Sequence, residues 1–497
     1  ANQDPAGRAG LAHLIEHLTF ETAADSQSGT ISDKLEAVAL YHNAYTSHDV
    51  THYTSTALAN RVDALLEMEA RRLETPCSKL SDAVFTRERD VVLQEEAQRT
   101  TAWTPILAAI DREVWGPQHP YPRGVGDREV SAATKAEACA FFESYYTPAN
   151  AVMVVVGNIT PDRLEPRIGR RFGPIARAAT PPPPPPAPAT LTGTTSEHVG
   201  DIARPTALIY LAAPPWGDER VAMHEMLLRA VSAELSELDD REPWIVDTDL
   251  SYLGDAYQRV TVIEIAVDDA KRLDDAVAAA LKAGHDVFAD TDEEMRKKWI
   301  SVLRGAQQTA IVTASDAFAG KAAMVADYLT FTPDLDFWFA YMRATDAVDV
   351  PALRRYAAPL FTRSASHVAL IRPSGRDGVG GAEHVAVSGR DYDLPSWRSP
   401  VDPAEATRAE PVPATPPPLR LYQHRLGNGL HIIMYVAPRS PTIQVRLRFP
   451  HGLIDEPAAR RGVATLAAKL LDHDRQRRYP LPEYMQLSWA LTTVGTQ

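Results

Sequence analysis

The chain has 497 residues, 45% of them hydrophobic, and a formal net charge of −14. That length supplies roughly three to four domain-sized cores, and the acidic balance, with no Lys/Arg-rich block, excludes the concentrated basic surface that a nucleic-acid partner demands. No run approaches the ~18 to 20 uninterrupted apolar residues of a membrane helix, so membrane insertion is not expected.

The first patterned segment is Gly10 to Phe20, whose apolar spacing predicts a helix carrying His13, Glu16 and His17. Asn43 to Ser55 and Ala151 to Gly157 read as strands, and Glu88 to Glu96 reads as helix. The first block, residues 1–180, is therefore α+β, with helices joined to a mostly antiparallel sheet. Cys77 and Cys139, the only cysteines, fit one bridge or two inert thiols equally well.

Prolines crowd residues 181–188 and 411–418, and such stretches behave as semi-rigid spacers, so domain boundaries are placed there. Between them, residues 190–410 repeat the α+β character, with apolar strands at Thr206 to Ala213 and Val260 to Val267 and helices at Ala222 to Leu238 and Asp292 to Ala314. The last block, residues 419–497, opens with a strand over Leu426 to Val436 entered through a Gly-rich turn, then a second strand at Thr442 to Phe449 and a helical pattern.

That last helix is an internal repeat: shifted by 452 positions, Pro457 to Leu470 lies over Pro5 to Leu18, keeping Pro, Gly, Ala and Leu positions. His13 becomes Thr465, Glu16 becomes Ala468 and His17 becomes Lys469. The fold is duplicated without the polar residues. The overlay leaves the two strands of the last block without a counterpart before Ala1, so roughly forty residues of the first domain are expected to precede it, and both ends read as cut.

Histidines four apart on a helix stack on one face and can reach a single ion, with Glu16 beside them to handle a metal-bound water. This is the inverted form of a zinc-peptidase signature. A catalytic zinc needs a third protein ligand and one open position. Glu88 and Glu95, seven apart on one helical face, are the candidates, one to ligate and the other to support, and that register favours Glu95 over adjacent Glu96. His48, His52 and His119 are read as structural or solvated, and Tyr45 and Tyr53 as packing on the sheet. Asn43 to Thr46 is a candidate edge strand for holding an extended peptide by main-chain pairing.

The spacing of His-x-x-Glu-His and a later Glu-Arg-x-x-Val-x-x-Glu helix, here Glu88 to Glu95, resembles the pitrilysin/insulinase family of zinc peptidases. Asn43 to Tyr53, His119-Pro120-Tyr121, and Phe142 to Asn158 are also similar to the family's pattern; Phe20 to Ala24 departs from it where many members carry a glycine. The resemblance implies a zinc endopeptidase with one ion on His13, His17 and Glu95, Glu16 as general base and Glu88 supporting a ligand histidine. It also implies peptide contacts at Asn43 and the Ala44 backbone, and two halves, one active and one silent, closing a clam-shell chamber around unfolded peptides. The rival reading is a non-catalytic scaffold or partner subunit of a heteromeric peptidase. A complementing half or a homodimer is the expected partner besides peptide, and a bacterial periplasm is the working expectation for compartment.

Overall fold

The computed structural model describes residues 2–22, 29–74, 80–116, 119–122, 129–175, 191, 193–255, 257–289, 292–314, 318–332, 337–375, 421–425 and 431–435. It is an α+β fold with mainly antiparallel strand pairing.

In the first block, helices α1 (Leu11–Phe20), α2 (Ile31–Val38), α3 (Val62–Glu74), α4 (Asp82–Arg99), α5 (Thr104–Trp115), α6 (Lys135–Tyr145) and α7 (Pro161–Phe172) accompany the hairpin of β1 (Tyr41–Thr46) and β2 (Thr51–Thr56). Helix α1 starts at Gly10, whose φ of 91° lies in the left-handed region that favours glycine. A Cβ there would also sit 3.2 Å from Val130. The exposed amides of the first turn are met from outside it: buried Asp4 accepts from Gly10 N at 2.9 Å and Ala12 N at 3.0 Å. Leu11, Leu14, Ile15 and Leu18 form one apolar stripe, buried against Phe85 and Val92 of α4 and Phe141 and Phe142 of α6. Removing that stripe from water is what holds α1 between its two neighbours.

The strand read over Asn43 to Ser55 is in fact two strands. A turn at Ser47 to Val50 divides it, with Thr46 paired to Thr51, because an antiparallel pair needs a reversal that a single run cannot supply. The strand expected over Ala151 to Gly157 does not form among the described residues, and Val152, Met153 and Val155 are exposed. An apolar run makes a strand only where a neighbour completes its hydrogen bonds.

The second block is built on a five-stranded sheet of order β3-β7-β4-β6-β5, from β3 (Thr195–Gly200), β4 (Thr206–Ala212), β5 (Ile245–Gly254), β6 (Arg259–Val267) and β7 (Ser366–Pro373). Only β3 and β7 run parallel. Strand β4 is apolar without alternation because both faces are covered. Ala207, Ile209 and Leu211 pack on helices α8 (Val221–Leu235), α9 (Leu273–His285) and α13 (Val350–Leu360), while Leu208 and Tyr210 meet α5 from the first block. Helices α10 (Glu293–Ala314), α11 (Phe318–Phe331) and α12 (Phe337–Ala347) lie between α9 and α13 in the chain. Gly200 admits α5 to the sheet edge, since a Cβ there would lie 2.1 Å from Ile106.

The hairpin turn is tied to the second sheet through Asp49, which accepts from Tyr121 Oη at 2.7 Å and Tyr257 N at 3.0 Å, while its own amide donates to Asp255 at 3.0 Å. A final hairpin pairs β8 (Leu421–Arg425) with β9 (His431–Tyr435), the latter inside the strand expected over Leu426 to Val436. The second strand at Thr442 to Phe449 and the repeat helix at Pro457 to Leu470 lie outside the described residues. Cys139 is disulfide-bonded, which removes the reading of two inert thiols; Cys77, the one other cysteine in the chain, lies outside the described residues.

Candidate active site

Helices α1 and α4 pack so that their polar faces meet at one edge of the apolar interface. In α4, capped by Ser81 Oγ accepting from Val84 N, Phe85 and Val92 are the residues docked on α1. Glu88 and Glu95 stand three residues after each of them, so the same docking aims both carboxylates at α1.

His13 Nε2 lies 3.6 Å from Glu95 Oε2, and His17 Nε2 lies 3.8 Å from Glu95 Oε1. The donor atoms of these three residues all fall within 4.8 Å of one another. A tetrahedral zinc with bonds of about 2.0–2.1 Å sets its ligands roughly 3.3 Å apart, so the two histidine–Glu95 distances match it to within about half an ångström, and two imidazoles with a carboxylate are a donor set that such an ion takes. The far nitrogen of His17, Nδ1, points to Glu88 Oε2 at 3.4 Å, and Glu88 is held in turn by Arg87 Nε at 2.8 Å. Arg99 contacts Glu95 at 3.2 Å and Glu96 at 3.7 Å from the next turn of α4.

The charges follow from this packing. Burial, helped by the neighbouring His17 and Arg99, pushes the His13 pKa down to about 4, leaving a neutral imidazole at neutral pH. Burial also opposes charge on His17, but the bond to Glu88 and the nearby Glu95 and Glu16 carboxylates outweigh it and hold its pKa above the usual value. For Glu88, burial is overcome by its bonds to His17 and Arg87, which hold the carboxyl below its ordinary range. Glu16 goes the other way: burial raises its pKa, against the lowering effect of a hydrogen bond from Thr46.

These groups line a cavity of about 620 Å³ together with Asp4, Phe20, Glu21 and Asn43 to His48. Strand β1 faces it, and among the described residues no strand pairs with its second edge. Asn43 Oδ1 accepts from Ala44 N at 2.9 Å, and its amide donates to Tyr41 Oη at 3.2 Å. The structure thus gathers all seven singled-out residues, His13, Glu16, His17, Asn43, Ala44, Glu88 and Glu95, on one cavity. His52 stacks on Tyr45 and His119 on Trp115, and neither histidine is among the residues that line the cavity.

Sequence reasoning missed Thr46, Thr51, Tyr146 and Arg99. Thr46, Thr51 and Tyr146 did lie in segments singled out for other reasons, but Thr46 meets Glu16 across 30 residues and Tyr146 meets Thr51 across 95, separations at which spacing carries no signal.

Residues 1–112 match the family model described as Insulinase (Peptidase family M16), and residues 132–298 match that of the Peptidase M16 inactive domain, together more than half of the chain. The chain belongs to the insulinase family. This M16 chain is 29% identical over 163 residues to the zinc protease PqqE of Helicobacter pylori, covering 32% of this chain and 36% of that one. It is 30% identical over 167 residues to an uncharacterized zinc protease of Mycobacterium leprae, covering 33% and 37%. The matched segment thus spans little more than a third of these curated relatives. A crystal structure of a protease from Helicobacter pylori shares the fold, with a TM-score of 0.64 at 21% identity over 75% of this chain and 91% of that one. Both sequence relatives are named zinc proteases, and among the described residues no helix is long and apolar enough to cross a membrane.

Proposed function

We propose that this M16 chain is a zinc-dependent endopeptidase acting on extended peptides within an enclosed chamber, with one zinc held by His13, His17 and Glu95. The observation that carries the reading is the convergence of those three donors, with Glu16 beside them, on a cavity faced by an unpaired strand edge. Zinc, when bound, supplies a Lewis acid for the scissile carbonyl and for the oxygen charge that develops there.

Everything else comes from the chain. Neutral His13 is ready to ligate, and Glu88 fixes which nitrogen of His17 faces the cavity by accepting from the other. Strand β1 pairs with the peptide main chain through Asn43 and Ala44, presenting one carbonyl beside Glu16. Glu16 accepts a proton from the attacking water and returns it to the leaving amine. A carboxyl raised by burial toward the working pH suits both halves of that transfer.

The family model described as inactive falls on residues 132–298 and not on the cluster, and the scaffold or partner-subunit reading stands as the alternative. The test is zinc analysis of the purified chain alongside cleavage of a quenched fluorescent peptide, with and without chelator and a complementing half. Zinc near one per chain and chelator-sensitive cleavage are expected, and Glu16→Gln should keep zinc while losing roughly 10²- to 10⁴-fold in kcat. A zinc-loaded chain that binds peptide yet leaves it intact in every combination would favour the partner-subunit reading instead.

A further inference from the structure

Three hydroxyls stand in line behind Glu16. Thr46 Oγ1 donates to Glu16 Oε2 at 2.6 Å. Thr51 Oγ1, its cross-strand partner on β2, lies 3.3 Å from Thr46 Oγ1, and Tyr146 Oη, just past the end of α6, lies 2.8 Å from Thr51 Oγ1. The same Tyr146 hydroxyl lies 3.3 Å from the carbonyl of Ala12, one turn before Glu16 on α1.

Each hydroxyl has one proton to give. Thr46 spends its proton on the carboxylate, so Thr51 is the donor in any bond between those two, and with Thr51 so used Tyr146 donates to Thr51, its shorter contact. In the other arrangement Tyr146 donates to the Ala12 carbonyl at 3.3 Å and Thr51 donates to Tyr146. With Tyr146 donating to Thr51, all three donors point the same way, toward Oε2. No other hydrogen bond to the Glu16 carboxylate occurs among the described residues, and Glu16 lines the cavity.

We propose that Thr46 is a positioning residue that pins Oε2 of Glu16 at the end of the Tyr146–Thr51–Thr46 line, making Oε1 the oxygen that carries the proton. This rests on the hydrolase reading above. As the water O–H bond breaks and its oxygen bonds to the carbonyl carbon, the proton passes to Oε1. As the C–N bond breaks, Oε1 returns that proton to the amine nitrogen, so the carboxylate ends as it began. Oε2 never leaves Thr46, so the side chain keeps one rotamer through both transfers, and the position of the base is set by three elements packed on one another.

The test compares Thr46→Val, which keeps the shape and removes the hydroxyl, with Thr46→Ser, which keeps the hydroxyl, in the zinc-loaded full chain. Thr46→Val should lose roughly 10- to 100-fold in kcat with KM and zinc content held, as a displaced catalytic group does. Thr46→Ser should retain most of kcat. Thr51→Val should cost less than Thr46→Val and add nothing to it in the double variant, since both act through one line. Wild-type kcat in Thr46→Val, a loss in Thr46→Ser as large as in Thr46→Val, or a loss carried by KM would each overturn the proposal. Crystal structures of wild type and Thr46→Val keep it separate from the hydrolase reading. If the wild type cleaves nothing, that reading fails, while an unmoved Glu16 carboxylate in Thr46→Val would still sink the positioning role and a swung one would support it.

Discussion

Helices α1 and α8 each hold a histidine neutral, half-buried His13 on α1 and buried His224 on α8, for opposite purposes. His224 on α8 is fully buried, with Nδ1 3.1 Å from Tyr356 Oη and Nε2 2.9 Å from Thr261 Oγ1, so each ring nitrogen has a hydroxyl partner. Burial first, then Arg259 and Arg220, pushes its pKa down to about 3. His13 on α1 is pushed down to about 4 by the same cause, yet its Nε2 faces a carboxylate at 3.6 Å across a cavity. The lesson is that a depressed pKa alone does not separate a ligand from a core histidine. What separates them is whether the ring nitrogens are already satisfied within the fold.

The largest effect that can break this comparison is on acid stability. The folded pKa of His224 lies below its unfolded value near 6.5, so the unfolded chain binds more protons between the two. The stability it contributes is complete above about pH 6.5 and is lost as pH falls toward about 3, up to about 5 kcal/mol. Urea unfolding at pH 7 and pH 4.5 should show a steeper loss in the wild type than in His224→Gln; equal slopes would mean that the two histidine settings do not differ as described.

Next comes metal affinity. His13→Ala should weaken zinc binding by more than about 100-fold, beyond the cost of losing a merely supporting group, and should leave the melting temperature of the metal-free chain nearly unchanged. His224→Ala should do the reverse. A chelator-competition titration beside a thermal melt reads both, and an equal fall in zinc affinity for the two variants would dissolve the distinction.

The smallest effect sharpens it. Glu88→Gln keeps an acceptor for His17 but removes the charge, and should weaken zinc binding by about 10- to 100-fold, or roughly 1.4 to 2.8 kcal/mol. Unchanged affinity would make Glu88 only the ion-pair partner of Arg87.

The α+β class, helices α1 and α4 and the strands β4 and β6 were readable because their patterns are local. The cluster was readable for the same reason: His13 and His17 share a helical face at four residues, and Glu88 and Glu95 share one at seven. The strand over Ala151 to Gly157 misled because propensity does not report whether a neighbouring strand is present. Strands β3, β5 and β7 were missed, although β7 is an apolar run, because a short run between helices reads equally as helix. Asp4 was invisible as the cap of α1, since it stands six residues before Gly10 and reaches it only through the turn the glycines allow.

By itself, then, the sequence determined which side chains share a face. It determined that on α1 and again on α4, because 3.6 residues per turn needs no information beyond the helix. Only the tertiary structure decided that those two faces meet, since that rests on Leu14, Ile15 and Leu18 burying against Phe85 and Val92 at long range. It alone also set the line of hydroxyls behind Glu16, because strand register and the end of α6 place Thr46, Thr51 and Tyr146 together, and neither can be read from any single segment.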